Sequence, residues 1–303
     1  MTLSTRQLEV IHAVIRAGSV TDAAAALGIS QPAVSMILRE CNEIAGFPLF
    51  LRRQGRLQPT NETYVLLPEL ERVFEGMRRV QRLLSDLKDA TVGVVNIGSP
   101  PLVTDVVMPR LLSTFHKSHP KIQVNLFGMD NDDVIDHIES DRVDFGLTIS
   151  PYPSLMGHIL DLITTPLVFI AHESHPLAQK ARIVPDDLVD SQLITFNRTL
   201  PIGIVIENAF RQTSVRRTAA VEITHTSTAC ILVRHRVGVA LVPEIGLRQA
   251  NLAGLVQRPF FPEAHIIVQL WLPQHKPMSR SAKLAVAALK KVSTEFKWPA
   301  EAP

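Results

Sequence analysis

The sequence predicts an α/β chain that opens with an all-α winged helix-turn-helix unit and a long linker helix. Three observations carry this. A helix, tight turn and helix run from Ser19 to Glu40, followed by an arginine-rich hairpin. An apolar row with heptad spacing runs from Leu66 to Leu87. Short apolar strands then alternate with amphipathic helices from Val92 to Phe296. The boundaries that follow are residues 1–60, 61–90 and 91–303.

In the first part, Leu8, Ile11, Val14 and Ile15 share one face of an opening helix. Ser19 and Asp22 have capping-box spacing at the start of the second. Ala23 to Ala26 form helix readily and let another helix approach closely. Gly28 tolerates the positive φ of a turn, Ser30 can cap the third helix, and Pro32 falls in that helix's first turn. Val34, Ile37 and Leu38 then face inward, leaving Gln31, Ala33, Ser35, Met36 and Arg39 for a partner. Such a polar helix on an apolar platform is how helix-turn-helix units enter the DNA major groove. Over Gln31 to Glu40, Gln31 and Ser35 are the candidate base-edge contacts, flanked by Ser30, Pro32 and Arg39. Arg52, Arg53 and Arg56 surround Gly55, which suits a hairpin tip; they would hold phosphates, and a solvated charge cluster is the alternative.

Leu66, Leu70, Val73, Met77, Val80, Leu84 and Leu87 alternate four-residue and three-residue steps, the spacing of a coiled-coil seam. One helix cannot bury this row and also Leu67 and Phe74. A helix from a second chain is the economical partner; packing on the chain's own domain is the other. Pro68 should bend or delay the helix.

Beyond residue 91 the pattern is strand then helix. The strands are Val92–Ile97, Ile122–Phe127, Val143–Ile149, LVFIA from Leu167, QLITF from Gln192, AAVEIT from Ala219, GVALVP from Gly238 and HIIVQLWLP from His265. The helices are Thr104–His116, Asp132–Ser140, a short one opened by PDDL, Gly203–Gln212, Ser227–Arg236 and Ser281–Phe296. This alternation predicts a parallel sheet with crossover helices.

Composition narrows the class without naming a partner. The chain has 303 residues, 46% hydrophobic and 20% charged, with a formal net charge of +2. These are the proportions of a globular protein, and the balance is too even to point to nucleic acid by itself. No apolar run reaches the length of a membrane span, and MTLSTRQLEV lacks the pattern of a secretory signal, so a cytoplasmic protein with no membrane partner is expected. Cys41 and Cys230 lie in different predicted domains, and each reads as a small buried hydrophobe rather than a disulfide partner.

No nucleophile elbow, phosphate loop or dinucleotide fingerprint occurs. His172 and His175 have metal-like spacing, as do His225, Cys230 and His235, yet a structural role suits each set better. Asp132–Asp133 and Asp186–Asp187 stand at helix starts, where capping explains them. Neither a catalytic site, a metal site nor a cofactor is expected. Strand ends are a better guide, since open α/β sheets bind ligands beyond their carboxyl ends. They gather Ser99, Pro100, Thr148, Ser150, Phe196, Asn197, Arg198, Thr199, His225 and Thr226. The hydroxyls and helix starts favour an anion such as a carboxylate, and Arg198 could clamp it in a bidentate contact. Any one of these residues serves equally well as a cap or loop residue, so the case is their convergence.

The run ALGISQPAVS followed by FPLFLRRQGRLQPT resembles the N-terminal signature of LysR-type transcriptional regulators. Cys41 and Asn42 stand where that family more often has a Leu-Glu pair, Met36 where a basic residue is frequent, and Thr63 where Gly is common. VNIGSP, MPRLLSTFHKSHP, VDFGLT, ESHPLA and VGVALVPE extend the resemblance over the chain, and VEITHTSTACILVRHRVGVALVPE is similar to regulators of opine and basic amino-acid metabolism. The resemblance implies a two-lobed, periplasmic-binding-protein-like effector domain, with lobe I at 91–163 plus 267–303 and lobe II at 164–266. It further implies promoter DNA and a small organic or amino-acid-like effector as partners. A homodimer or homotetramer would form, with RNA polymerase contact if the protein activates.

Overall fold

The computed structural model describes residues 2–53, 56–88, 93–213 and 215–296, with the side chains at 52, 53, 56, 79, 82, 83 and 85–88 outside the description. The chain divides into two units, Met1–Arg82 and Leu83–Pro303.

In the first unit, α1 (Thr5–Ala17), α2 (Val20–Leu27) and α3 (Gln31–Ala45) pack round a buried core that includes Val10, Ile11, Val14, Ala23, Val34, Leu38 and Cys41. Ser4 and Gln7 form a reciprocal capping box at α1. Only half of the box expected at Ser19 forms. Its Oγ accepts from the Asp22 N–H at 3.0 Å, but the Asp22 carboxylate takes the Ser19 hydroxyl, at 2.6 Å. Gly28 ends α2 at φ 64°, and the Ser30 Oγ accepts from the Ala33 N–H to start α3. The helix continues beyond the expected Glu40. A two-stranded hairpin follows, β1 (Phe50–Arg53) against β2 (Arg56–Pro59), with Arg53 opposite Arg56. The tip at Gly55 lies outside the described residues.

The linker helix, α4 (Asn61–Lys88), holds Pro68 within it and is not delayed by it. Its apolar row divides. Leu70, 6% exposed, and Phe74, 9% exposed, enter the helix-turn-helix core. Leu70 therefore leaves the expected seam, because the head offers it an apolar pocket within its own chain. Leu66, Val73, Met77, Val80 and Leu84 remain exposed, and the Leu87 side chain lies outside the described residues.

The second unit is built on one sheet. In chain order its strands are β3 (Gly93–Ser99), β4 (Ile122–Gly128), β5 (Phe145–Ser150), β6 (Ile159–His172), β7 (Leu193–Phe196), β8 (Val221–Ile223), β9 (Val239–Pro243), β10 (Leu255–Pro259) and β11 (His265–Trp271). Across the sheet they run β4-β3-β5-β11-β6-β9-β7-β8, with β10 on β6. The flanking groups β4-β3-β5 and β9-β7-β8 are parallel, as predicted. The middle is not. β11 and β6 pair antiparallel, as do β6 and β9, because the chain leaves one group along β6 and returns along β11. Pairing changes over within β6, between Pro166, opposite His265 of β11, and Leu167, opposite Pro243 of β9. β10 and the first half of β6 escape the sequence pattern. LVQRP has too few apolar residues to read as a strand, and it pairs only along the edge of β6.

The helices are α5 (Pro101–Ser118), α6 (Asn131–Glu139), α7 (Pro201–Arg211), α8 (Thr226–Arg234) and α9 (Arg280–Ser293). The PDDL segment is a 3-10 turn rather than an α-helix. Gly203 is required by the tight entry into α7, since a Cβ there would lie 1.9 Å from the Asn197 carbonyl oxygen.

Candidate functional site

The outer face of α3 is polar at its start. Ser30, Gln31, Pro32 and Arg39 are exposed, Ser35 is half-buried and Met36 is 59% exposed. The Gln31 Nε2 donates to the Ser35 Oγ at 3.0 Å, so the two candidate base readers hold each other in place. Arg52, Arg53 and Arg56 lie on the hairpin strands, their side chains outside the described residues. Two departures from the family signature are structural here. The Asn42 Oδ1 accepts from the Leu49 N–H at 2.9 Å, and the buried Thr63 Oγ1 donates to the Leu49 carbonyl at 2.7 Å. Together they clamp the chain between α3 and the hairpin.

In the second unit a cleft of about 320 Å³ is lined by the starts of four helices. Pro100 to Leu102 come from α5, Asp130 to Asp132 from α6, Thr199 to Ile202 from α7 and Thr224 to Thr226 from α8, with Ile149 and Phe196 at the strand ends. None of these four helices has a side-chain cap bond. By contrast α1, α2, α3 and α9 are all capped by serines. The first N–H groups of a helix have no partner within it and carry partial positive charge. Thr226 is 5% exposed, and its Oγ1 has no hydrogen-bond partner among the described residues.

Of the residues picked from the sequence, the cleft brings together Pro100, Phe196, Thr199, His225 and Thr226. Ser99 and Thr148 are buried and do not line it; the Ser99 hydroxyl is 2.7 Å from that of Thr104. Asn197 accepts from the Thr199 N–H and hydroxyl and donates to Glu222 at 3.1 Å. Arg198 turns to Glu207, at 3.4 Å, and to the Arg217 carbonyl. A carboxylate clamp by Arg198 is thus not seen in the cleft. Asp130, Asn131 and Asp132 were not picked out as lining residues. Asp132 and Asp133 do lie in the first turn of α6, but the N-cap, Asp130, makes no cap bond. Asn131 instead clasps the end of β5, bonding the Ile149 N–H and carbonyl.

Arg217 was also missed. Its side chain is almost wholly buried, 3.2 Å from Glu207, and donates to the Thr195 hydroxyl at 3.3 Å. Burial pulls its pKa down while Glu207 opposes that pull. The VRRT text gives no sign that one arginine is interior.

His172 and His175 each bond within their own turn, while His225 lines the cleft. His172 Nδ1 accepts from the Ser174 N–H, and His175 Nδ1 accepts from the Leu177 N–H. Burial pushes the Cys230 thiol up, and it takes Cys41 to about 11. Among the described residues, no group of His, Cys, Asp or Glu is placed to hold a metal ion, and no helix is long and apolar enough to cross a membrane.

A helix-turn-helix head and a separate α/β unit with a ligand-sized cleft define a regulator of transcription. Residues 5–63 match the bacterial regulatory helix-turn-helix protein model of the lysR family, and residues 88–294 match the LysR substrate binding domain. The chain belongs to the LysR-type transcriptional regulators, which are not enzymes. It is 30% identical over 277 residues to the transcriptional activator protein LysR of Escherichia coli, covering 91% of this chain and 89% of that protein. It is 29% identical to the octopine catabolism/uptake operon regulatory protein OccR of Rhizobium meliloti, covering 79% and 80%. The full-length LysR family regulator CbnR in complex with its target DNA shares the fold, with TM-score 0.75 at 18% identity over 96% of this chain and all (100%) of that one.

Proposed function

We propose that the cleft binds a small organic anion, and that this effector controls promoter binding by the head. The observation that carries the reading is the meeting of three helix starts, those of α5, α7 and α8, without side-chain caps or acidic first turns around the unpartnered Thr226 hydroxyl. Helix N-termini with free N–H groups are ready-made anion sites. The OccR name connects that relative with octopine, an opine, and its similarity supports an amino-acid-like carboxylate here.

In this reading Ser99, Thr148, Asn197 and Arg198 support the cleft from behind, while Pro100, Phe196, Thr199, His225 and Thr226 meet the effector. The lobes are 91–163 plus 267–303 and 164–266, the first boundary lying three residues before the pairing change between Pro166 and Leu167. Gln31 and Ser35 read base edges, bordered by Ser30, Pro32 and Arg39, and Arg52, Arg53 and Arg56 hold phosphates. The exposed row on α4 joins two copies in the cytoplasm, and a dimer of dimers would follow the family pattern. An activating role would bring RNA polymerase as a further partner.

Calorimetry of the full chain against a panel of carboxylates and amino acids, with footprinting on its own upstream region, tests the proposal. At least one carboxylate should bind and alter the footprint, and Thr226→Val should weaken it roughly tenfold, the value of one charge-assisted hydrogen bond. An effector that binds Thr226→Val and Thr199→Ala with unchanged affinity would place the site elsewhere.

A further inference from the structure

We infer that the effector is a zwitterion, with its carboxylate met by the starts of α5, α7 and α8 and an ammonium group met by the acidic start of α6. The inference rests on the anion-binding reading above and adds the second charge.

The four helix starts are not alike. The first turns of α5, α7 and α8 contain no acidic residue. That of α6 contains Asp132 and Asp133, and its N-cap is Asp130. Asp130 and Asp132 both line the cleft. Their carboxylates cancel the partial positive charge of α6 and leave net negative charge there. At the start of α8, Thr226 sets a buried hydroxyl without a partner among the described residues, and Thr199 lies next to the start of α7. The cleft lining therefore combines electropositive helix starts with an electronegative one within about 320 Å³.

A simple carboxylate would gain from the starts of α5, α7 and α8 and be repelled by that of α6. An amine without a carboxylate meets the reverse. A molecule carrying both groups satisfies all four, and amino acids and their derivatives are the smallest common class that does. Asp130 has a further use for such a ligand. As an N-cap without its usual bond to the helix, its oxygens stay available as acceptors for an ammonium.

The test is calorimetry on the full chain with matched probes: the twenty common L-amino acids, L-ornithine, and for each binder the carboxylic acid lacking the amine and the amine lacking the carboxylate. The expected result is that the best binder is an amino acid and that loss of either group weakens it roughly ten- to a hundredfold, the range for a hydrogen bond to a charged group. The double variant Asp130→Asn, Asp132→Asn should erase most of the preference for the amino acid over its deaminated acid. Both residues are exposed, and circular dichroism will show that the variant is folded. Carboxylic acids that bind as tightly as amino acids, or a preference unchanged in the double variant, would overturn the zwitterion while leaving the anion site standing. Failure of every probe to bind would overturn both.

Discussion

At the residue scale, the least expected feature is the single carboxylate shared among arginines. Glu207 lies 3.2 Å from Arg217, 3.4 Å from Arg198 and 3.6 Å from Arg211. Arg217 is the one that cannot reach water, and a buried cation without its counter-charge is costly. Glu207→Gln should lower the urea-unfolding stability of the second unit by about 3 kcal/mol. Arg211→Ala, which removes only an exposed partner, should cost well under about 1 kcal/mol in the same measurement. A small effect of Glu207→Gln would mean that Thr195 and the Phe196 carbonyl suffice to hold the guanidinium. The same scale shows where sequence reading stops. It named strand ends that border the cleft, yet Ile149 lines it while Thr148 does not, because neighbouring strand residues face opposite sides. A lone sequence does not say which parity faces the ligand. Nor does it say that Arg198 will be claimed by Glu207.

At the element scale, α1 and α4 are joined by a ring stack. His12 lies against Phe74, centroids 4.8 Å apart, with its Nε2 buried and without a partner among the described residues. Burial lowers its pKa from the ordinary 6.5, Arg16 and Arg78 lower it further, and Glu71 opposes them. The unfolded chain therefore binds more protons than the folded head just below that value. Stability is full above about pH 6.5 and is lost as pH falls from there towards the depressed folded pKa. Thermal unfolding between pH 7.5 and 5.5 should show this decline, and His12→Phe should flatten it. An equal slope in the variant would assign the decline to other groups. Helices α1 to α3 and the β3-to-α8 alternation were legible because periodicity and caps are local signals. HIIVQLWLP reads as a return strand, but the direction of β6 and the pairing of β10 depend on distant partners and left no such mark.

At the scale of the whole molecule, α4 is the element whose surface is unfinished. Val80 is 57% exposed and Leu84 56%, in a row continuing through Met77, Val73 and Leu66. Removal of Leu70 to the head core narrows the seam but leaves Val73, Met77, Val80 and Leu84 in alternating four- and three-residue steps, with Leu66 one heptad before Val73. Light scattering of the purified chain should give at least a dimer, and Met77→Lys with Val80→Lys should give monomers, because two facing ammonium groups cannot be desolvated in an apolar seam. An unchanged mass would move the association to another surface. Head, linker and α/β unit were all readable in order from the sequence; what joins copies was readable only as an apolar row with no stated partner.

The change of partners along β6 sets how the walls of the cleft can move. Strand pairing continues without a gap from β4 to β8, and at the changeover Pro166 contributes no N–H to lose. On either side of it the chain is stitched down: the Thr165 hydroxyl accepts from the Ile245 N–H at 3.1 Å, and the Leu167 N–H donates to the Ala264 carbonyl at 2.7 Å. The two halves pair with successive stretches of β6, so the chain at Pro166 and Leu167 carries the sheet from one to the other. Any rotation of one half against the other therefore falls on this joint, and the bonds of Thr165 and Leu167 are the ones that would register it.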